Sequence, residues 1–288
     1  MTQAGKLPYV HMIATAYSGS TLLGTLLDSH PEITTVGELI TPVREGRLVR
    51  EGGDYPCSCG SLLLECPHFT ALVERCRERG VELDFLDYEI RIDGSLLGRC
   101  MPGHRKRVAR AMERCTTIAR ALLDVTGKRV FLDTSKDLTP VPHLARHPEL
   151  DLKVLHLVRD PRAFLHSTRK RREVKAASLS RHWRHIHARS LELGKSLGPE
   201  RFRSLSFESF CARPDETLEE LCLFLGVESV PLRDRADEVV HHIMGNRARL
   251  APVGEIRLDE SWRESLSNVD RRACLRAAGS IASAYGYA

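Results

Sequence analysis

Residues Ile13–Leu27 read IATAYSGSTLLGTLL: an apolar run, a small-residue loop at Ser18-Gly19-Ser20-Thr21, then apolar residues at helical spacing. This is the sequence form of a strand, a tight turn and a helix. The turn aims backbone N–H groups and the positive end of a helix at one point, which favours a phosphate or sulfate group there. No Lys follows the glycine. The nucleoside-triphosphatase pattern G-x-x-x-x-G-K-[ST] is therefore absent, and with it the Lys that reaches a terminal phosphate and the hydroxyl that holds magnesium. The loop is expected to bind an anion, with ATP not the first choice.

Short apolar runs continue to alternate with longer helical patterns, the signature of α/β architecture. The expected fold is an open, P-loop-like, mainly parallel sheet flanked by helices, forming a single domain over residues 1–288. A chain of 288 residues that is 42% hydrophobic can bury a core of that size. Strands are expected near Leu7–Ala14, Ile33–Val36, Arg129–Asp133, Leu152–Val158 and Phe202–Phe207. Helices are expected near Ser20–Ser29, Phe69–Arg79, Gly103–Val125, Ala176–Leu197 and Asp270–Ala284. His30-Pro31 stops the first helix, since Pro disfavours helical geometry in the residue before it. Asp160-Pro161 reads as N-cap and first helical residue, opening a helix to about Arg172. Pro214-Asp-Glu-Thr marks another helix start. Three strand ends carry polar groups: Ser18–Thr21, Thr134–Asp137 and Arg159–Asp160. Ligands of open α/β sheets collect beyond the carboxyl ends of strands, so these groups point to one crevice. Segments of about 40–68, 84–105 and 228–268 are expected to be covering loops.

The net charge of +5 suits a small anionic ligand and falls short of the basic density of a nucleic-acid binder. The run Arg169-Lys170-Arg171-Arg172 is placed in a helix, either as a solvated face or as a face turned to the ligand. The first apolar run ends in the loop rather than at a cleavage site, and no stretch is long enough to span a bilayer, so a cytoplasmic protein is expected. Nine cysteines scattered along the chain suggest reduced thiols. Cys57, Cys59, Cys66 and His68 offer four soft ligands that zinc would suit. The C-x-C gap is tighter than the usual ligand spacing, and Cys is a common buried hydrophobe, so no metal is counted among the site residues.

Arg159 and Ser167 stand eight residues apart, one before a helix and one two turns into it, the placing of a second anion clamp. Alone, an Arg paired with a neighbouring carboxylate and a solvated Ser would explain them. Taken with the first loop, they carry a resemblance. The string from Tyr17 to Ile40 resembles the 5′-phosphosulfate loop of sulfotransferases that use 3′-phosphoadenosine-5′-phosphosulfate (PAPS), and LVRDPRAFLHS, Leu157–Ser167, resembles their 3′-phosphate motif. Weaker similarities extend from about Val10 to Trp262: LDTSKD at Leu132, CSCG at Cys57, LSFESF at Leu205 and GNRAR at Gly245. The likeness is closer to bacterial and to carbohydrate- or tyrosyl-protein-type members than to the cytosolic aryl and steroid type.

The resemblance implies transfer of a sulfonate group from PAPS to a hydroxyl of a carbohydrate, lipid or small-molecule acceptor by in-line displacement, leaving 3′-phosphoadenosine-5′-phosphate (PAP). Tyr17, Ser18, Gly19, Ser20 and Thr21 would hold the 5′-phosphosulfate, and Arg159 and Ser167 the 3′-phosphate. Arg249, in a late loop, would close over that phosphate. Family members usually carry Arg, Lys or His where this chain has Tyr17, and a phenol brings no positive charge at neutral pH. Lys136 is the expected substitute cation, and Glu38 the expected base, with His104 the competing imidazole and His30 structural. The transferred group is less negative than a phosphoryl group, so activity in chelator, without magnesium, is expected. The competing readings are a nucleotide-binding protein that has lost catalysis, motivated by Tyr17, and a P-loop small-molecule kinase.

Overall fold

The computed structural model describes residues 5–39, 55–83, 100–235, 238, 240–243 and 246–287. Much of the expected covering loops, at 40–54 and 84–99, lies outside the described residues, as does Gly245. Five strands, β1 (Leu7–Ala14), β2 (Ile33–Thr34), β3 (Val130–Lys136), β4 (Leu150–Val158) and β5 (Phe202–Ser206), form one sheet in the order β2-β3-β1-β4-β5. Every pairing is parallel.

The sequence of β1 explains its central place. Tyr9 and Ile13 enter one apolar cluster with Leu152, Val154 and Phe131, while Val10, Met12 and Ala14 enter another with Leu155 and Leu157. Both faces are thus covered, as a parallel strand requires. Helix Ser20–Asp28 packs Leu23, Leu26 and Leu27 on the second face, and helix His104–Thr126 packs Cys115, Ile118 and Leu122 on the first. Trp183, in helix Ala176–Leu197, is fully buried and donates its indole N–H to the Arg159 carbonyl at 2.9 Å, so the expected core aromatic also fixes a site residue.

Several boundaries differ from the sequence expectation. Strand β3 runs to Lys136, so that residue ends a strand rather than following one. The helix opened by Asp160 spans Pro161–Arg169, which leaves Lys170–Arg172 in the following turn; Arg169 is paired with Asp270 at 2.8 Å. The last helix is two, Asn268–Ala278 and Ser280–Ala284, because Gly279 at φ 62° breaks the repeat. No helix among the described residues is long and apolar enough to cross a membrane.

Candidate active site

The chain leaves β1 through Thr15–Gly19 and enters helix Ser20–Asp28 with Gly19 at φ 84°. Gly19 is doubly constrained. A Cβ there would occupy left-handed backbone and stand 2.1 Å from the Phe207 ring. The Ser18 hydroxyl is buried against Thr15, 2.7 Å between oxygens, so this side chain braces the loop from inside instead of facing the ligand space.

A cavity of about 520 Å³ opens beyond the carboxyl ends of β1, β3 and β4, where strand connections diverge to opposite sides of the sheet. Tyr17, Gly19, Ser20 and Thr21 line it from the first loop, Glu38 and Lys136 from the β2–β3 side, and Arg159 and Ser167 from β4 and its helix. The two proposed anion clamps therefore share one space. Sequence reasoning missed Asn246 and Ala248, which line the same cavity from the late loop.

Arg159 is held in place from several directions. One guanidinium nitrogen donates to the Tyr17 carbonyl at 2.7 Å, another approaches the Asp259 carbonyl at 3.4 Å, and the group lies 5.1 Å from the Phe207 ring centroid. Its Nε is buried without a hydrogen-bond partner among the described residues. A buried cationic donor left unmatched favours a charged acceptor. Asp160 caps the following helix, accepting the Arg162 N–H at 2.7 Å, so the helix carrying Ser167 has a fixed start.

Lys136 donates to the Glu38 carboxylate in a largely buried ion pair, with side-chain exposures of 16% and 18%. Lys136 and Tyr17 have φ values of 68° and 60°, the two non-glycine residues in left-handed conformation among the described residues. Such backbone persists only where its surroundings enforce it, and it clusters at functional sites. Close by in sequence, an ion pair is buried between β1 and β3. Asp133 is fully buried and accepts from Tyr9 at 3.1 Å, from His11 Nδ1 at 2.9 Å, and from the N–H groups of Ser135 at 2.9 Å and Leu39 at 3.3 Å. His11 Nε2 stands 2.6 Å from the Asp137 carbonyl, so both ring nitrogens donate. Burial works against charge on His11, yet Asp133 and the Asp137 carbonyl hold its pKa above the usual histidine value. Burial likewise opposes the Asp133 carboxylate, and His11 with Ser135 outweighs it and lowers that pKa. The pair anchors both the segment leading from Glu38 and the one ending in Lys136.

Three expectations need correction. Arg249 does not line the cavity: it is buried, donates to the carbonyls of Pro56 at 2.6 Å and His242 at 3.1 Å, and lies over the Tyr55 ring. The short 3-10 turn Arg247–Leu250 rotates it inward, away from the side where Ala248 faces the cavity. The donors gathered with Cys57, Cys59 and Cys66 come from His241, not His68, whose ring instead stacks on that of His241 at 4.4 Å. His104 does not line the cavity either. His30 is structural, as expected, with its ring 2.8 Å from the Glu228 carbonyl and accepting the Glu32 N–H.

Residues 151–231, which include β4, the Arg159 motif and β5, match the model of the sulfotransferase family. Over 72 residues, a quarter of this chain, the sequence is 43% identical to human carbohydrate sulfotransferase 2; the matched stretch is 12% of that protein's length. The fold is similar to the sulfotransferase domain of the olefin synthase from Synechococcus PCC 7002, with a TM-score of 0.55 at 21% identity, covering 100% of this chain and 98% of that one. It is also similar to the sulfotransferase domain from the curacin biosynthetic pathway, with a TM-score of 0.51 at 18% identity over 98% and 99% of the two chains. The match to the sulfotransferase family covers residues 151–231, and the likeness to the two sulfotransferase domains is one of fold.

Proposed function

We propose that the protein transfers a sulfonate group from PAPS to a hydroxyl of a carbohydrate, lipid or small-molecule acceptor. The observation that carries this reading is the opening of the Tyr17–Thr21 loop and the Arg159–Ser167 pair into one cavity. Two separated anion-binding elements suit a nucleotide phosphorylated at both ends of its ribose, and ATP does not need the second. In this reading the first-loop amides and the start of helix Ser20–Asp28 hold the 5′ end, while Arg159 and Ser167 hold the 3′-phosphate.

The reaction needs an acceptor oxygen in line behind sulfur, removal of its proton, and stabilisation of charge on the departing phosphate. Lys136 supplies the positive charge that Tyr17 does not. In the ligand-free pair it neutralises Glu38. A phosphosulfate bound in the cavity competes for that ammonium, and its movement to the bridging oxygen releases the Glu38 carboxylate to take the acceptor proton. Charge is then balanced at each stage without magnesium. In this reading the protein works in the cytoplasm, and its partner is a small-molecule, lipid or carbohydrate acceptor rather than a nucleic acid.

Incubation with PAPS carrying radiolabelled sulfonate and a panel of sugars, lipids and phenols tests the assignment. Label transferred to an acceptor, with release of PAP, is expected. Tight PAP binding with no transfer to any acceptor would favour the alternative of a nucleotide-binding protein without catalysis, and magnesium-dependent consumption of ATP would favour the kinase.

A further inference from the structure

Away from the cleft, the excursion from Cys57 to Cys66 folds into a compact knuckle. The Cys57 N–H donates to the Ser61 carbonyl at 2.9 Å, the Gly60 N–H to the Cys57 carbonyl at 3.1 Å, and Pro56 pairs with Leu62 in an isolated antiparallel bridge. Gly60, at φ 92°, makes the reversal possible. The turn gathers three sulfurs, and the segment 240–243 delivers a fourth donor from 175 residues beyond Cys66. One atom from each of Cys57, Cys59, Cys66 and His241 lies within 4.8 Å of the other three.

Three of the six separations have the dimensions of a metal site, and the others lie within 4.8 Å. Zinc–sulfur bonds of about 2.3 Å and zinc–nitrogen bonds of about 2.0–2.1 Å in a tetrahedron give edges of about 3.8 Å between sulfurs and about 3.6 Å from sulfur to nitrogen. Cys59 and Cys66 sulfurs are 3.8 Å apart, and His241 Nδ1 is 3.4 Å from the Cys66 sulfur and 3.8 Å from that of Cys57. We propose that Cys57, Cys59, Cys66 and His241 bind one zinc ion in a closed, structural Cys₃His site, the thiol protons passing to solvent as the metal enters. Four protein donors leave no position for a reactive water, so the ion is a clasp.

What it clasps follows from the hydrogen bonds around it. The Ser58 hydroxyl donates to the Val240 carbonyl at 2.6 Å and accepts the His242 N–H at 2.7 Å. Arg249 ties Pro56 to His242 from the other side. The metal would lock the knuckle to the strap whose continuation brings Asn246 and Ala248 to the cavity wall. His68, stacked at an interplanar angle of 10°, fixes the plane of the His241 imidazole without ligating.

The test does not depend on the sulfotransferase reading. The full chain is expressed with added zinc, purified under reducing conditions and assayed for metal; a chelator-treated sample is titrated with cobalt(II). About one zinc per chain is expected, with the thiolate charge-transfer and strong visible bands of tetrahedral cobalt. The Cys59→Ser, His241→Ala double variant loses the metal, and His68→Ala keeps it. A wild-type chain with neither retained zinc nor a tetrahedral cobalt spectrum overturns the site. So does a Cys59–Cys66 disulfide in the intact mass of unreduced protein, a folded double variant that still binds zinc, or loss of the metal from His68→Ala. Should the double variant fail to fold, the cobalt spectrum of the wild-type chain decides.

Discussion

Lys136 and Glu38 form an ion pair at the wall of the cavity, each from the end of a different strand region and each mostly shielded from water. A cation and a carboxylate that neutralise one another at rest are separable by a ligand that needs the cation. Lys136→Ala is expected to lower kcat by about 10²–10³-fold, the effect of losing one preorganised charge-stabilising donor. PAP affinity should change far less. Equal losses in kcat and PAP affinity would make Lys136 a binding residue only.

Glu38→Gln keeps the shape and the hydrogen-bonding reach while removing the proton acceptor. Turnover should fall by about 10²–10⁴-fold with PAP binding retained. A pre-steady-state assay separates chemistry from release. Near-normal turnover would transfer the base to an imidazole.

Arg159→Lys preserves charge but not the planar fork that reaches the Tyr17 carbonyl while leaving nitrogen for an anion. Preference for PAP over AMP should fall by about tenfold or more, the value of a charge-assisted hydrogen bond. Isothermal titration of both nucleotides reads the ratio, and an unaltered ratio removes Arg159 from 3′-phosphate recognition.

Gly19→Ala should weaken nucleotide binding and lower the melting temperature, since the new methyl is strained by φ 84° and collides with Phe207. Adding Phe207→Ala relieves the collision and leaves the backbone strain, so the double variant should regain only part of the nucleotide affinity. Full recovery would show that the backbone conformation is unimportant.

The buried His11–Asp133 pair makes stability depend on pH with a definite sign. In the unfolded chain the imidazole titrates at about 6.5, whereas the folded value is raised. Between those values the folded state binds more protons, so stability is full below about 6.5 and declines as pH rises through the folded pKa. Urea midpoints across this range should fall in the wild type and flatten in His11→Gln. Asp133 has a lowered folded value, and its contribution is lost as pH falls through it. Asp133→Asn should cost about 3–5 kcal/mol at neutral pH, the penalty for stripping one member of a buried pair.

Local signals made much of the fold legible. The bounds of β1 and of helix Ala176–Leu197 follow from their apolar spacing, and Asp160-Pro161 fixes a helix start because cap and ring act within one turn. Eight of the ten proposed site residues line the cavity, most of them because they sit at strand ends or helix starts; Ser167 does so from two turns into its helix. Ser18 and Arg249 do not, because side-chain direction in a tight loop or a 3-10 turn is set by packing that the sequence does not announce. His241 was invisible beside the cysteines, since only tertiary folding brings it to them. The His11–Asp133 pair was equally hidden, split between two strands that are distant in sequence and adjacent in the sheet.

The central claim is that one nucleotide bridges the Tyr17–Thr21 loop and Arg159. Calorimetric titration of the wild-type chain with PAP, ADP and AMP, with and without magnesium, measures this directly. The account predicts that PAP binds at least about tenfold more tightly than either competitor, independently of magnesium. Equal affinities, or a magnesium-dependent preference for ADP, would contradict it.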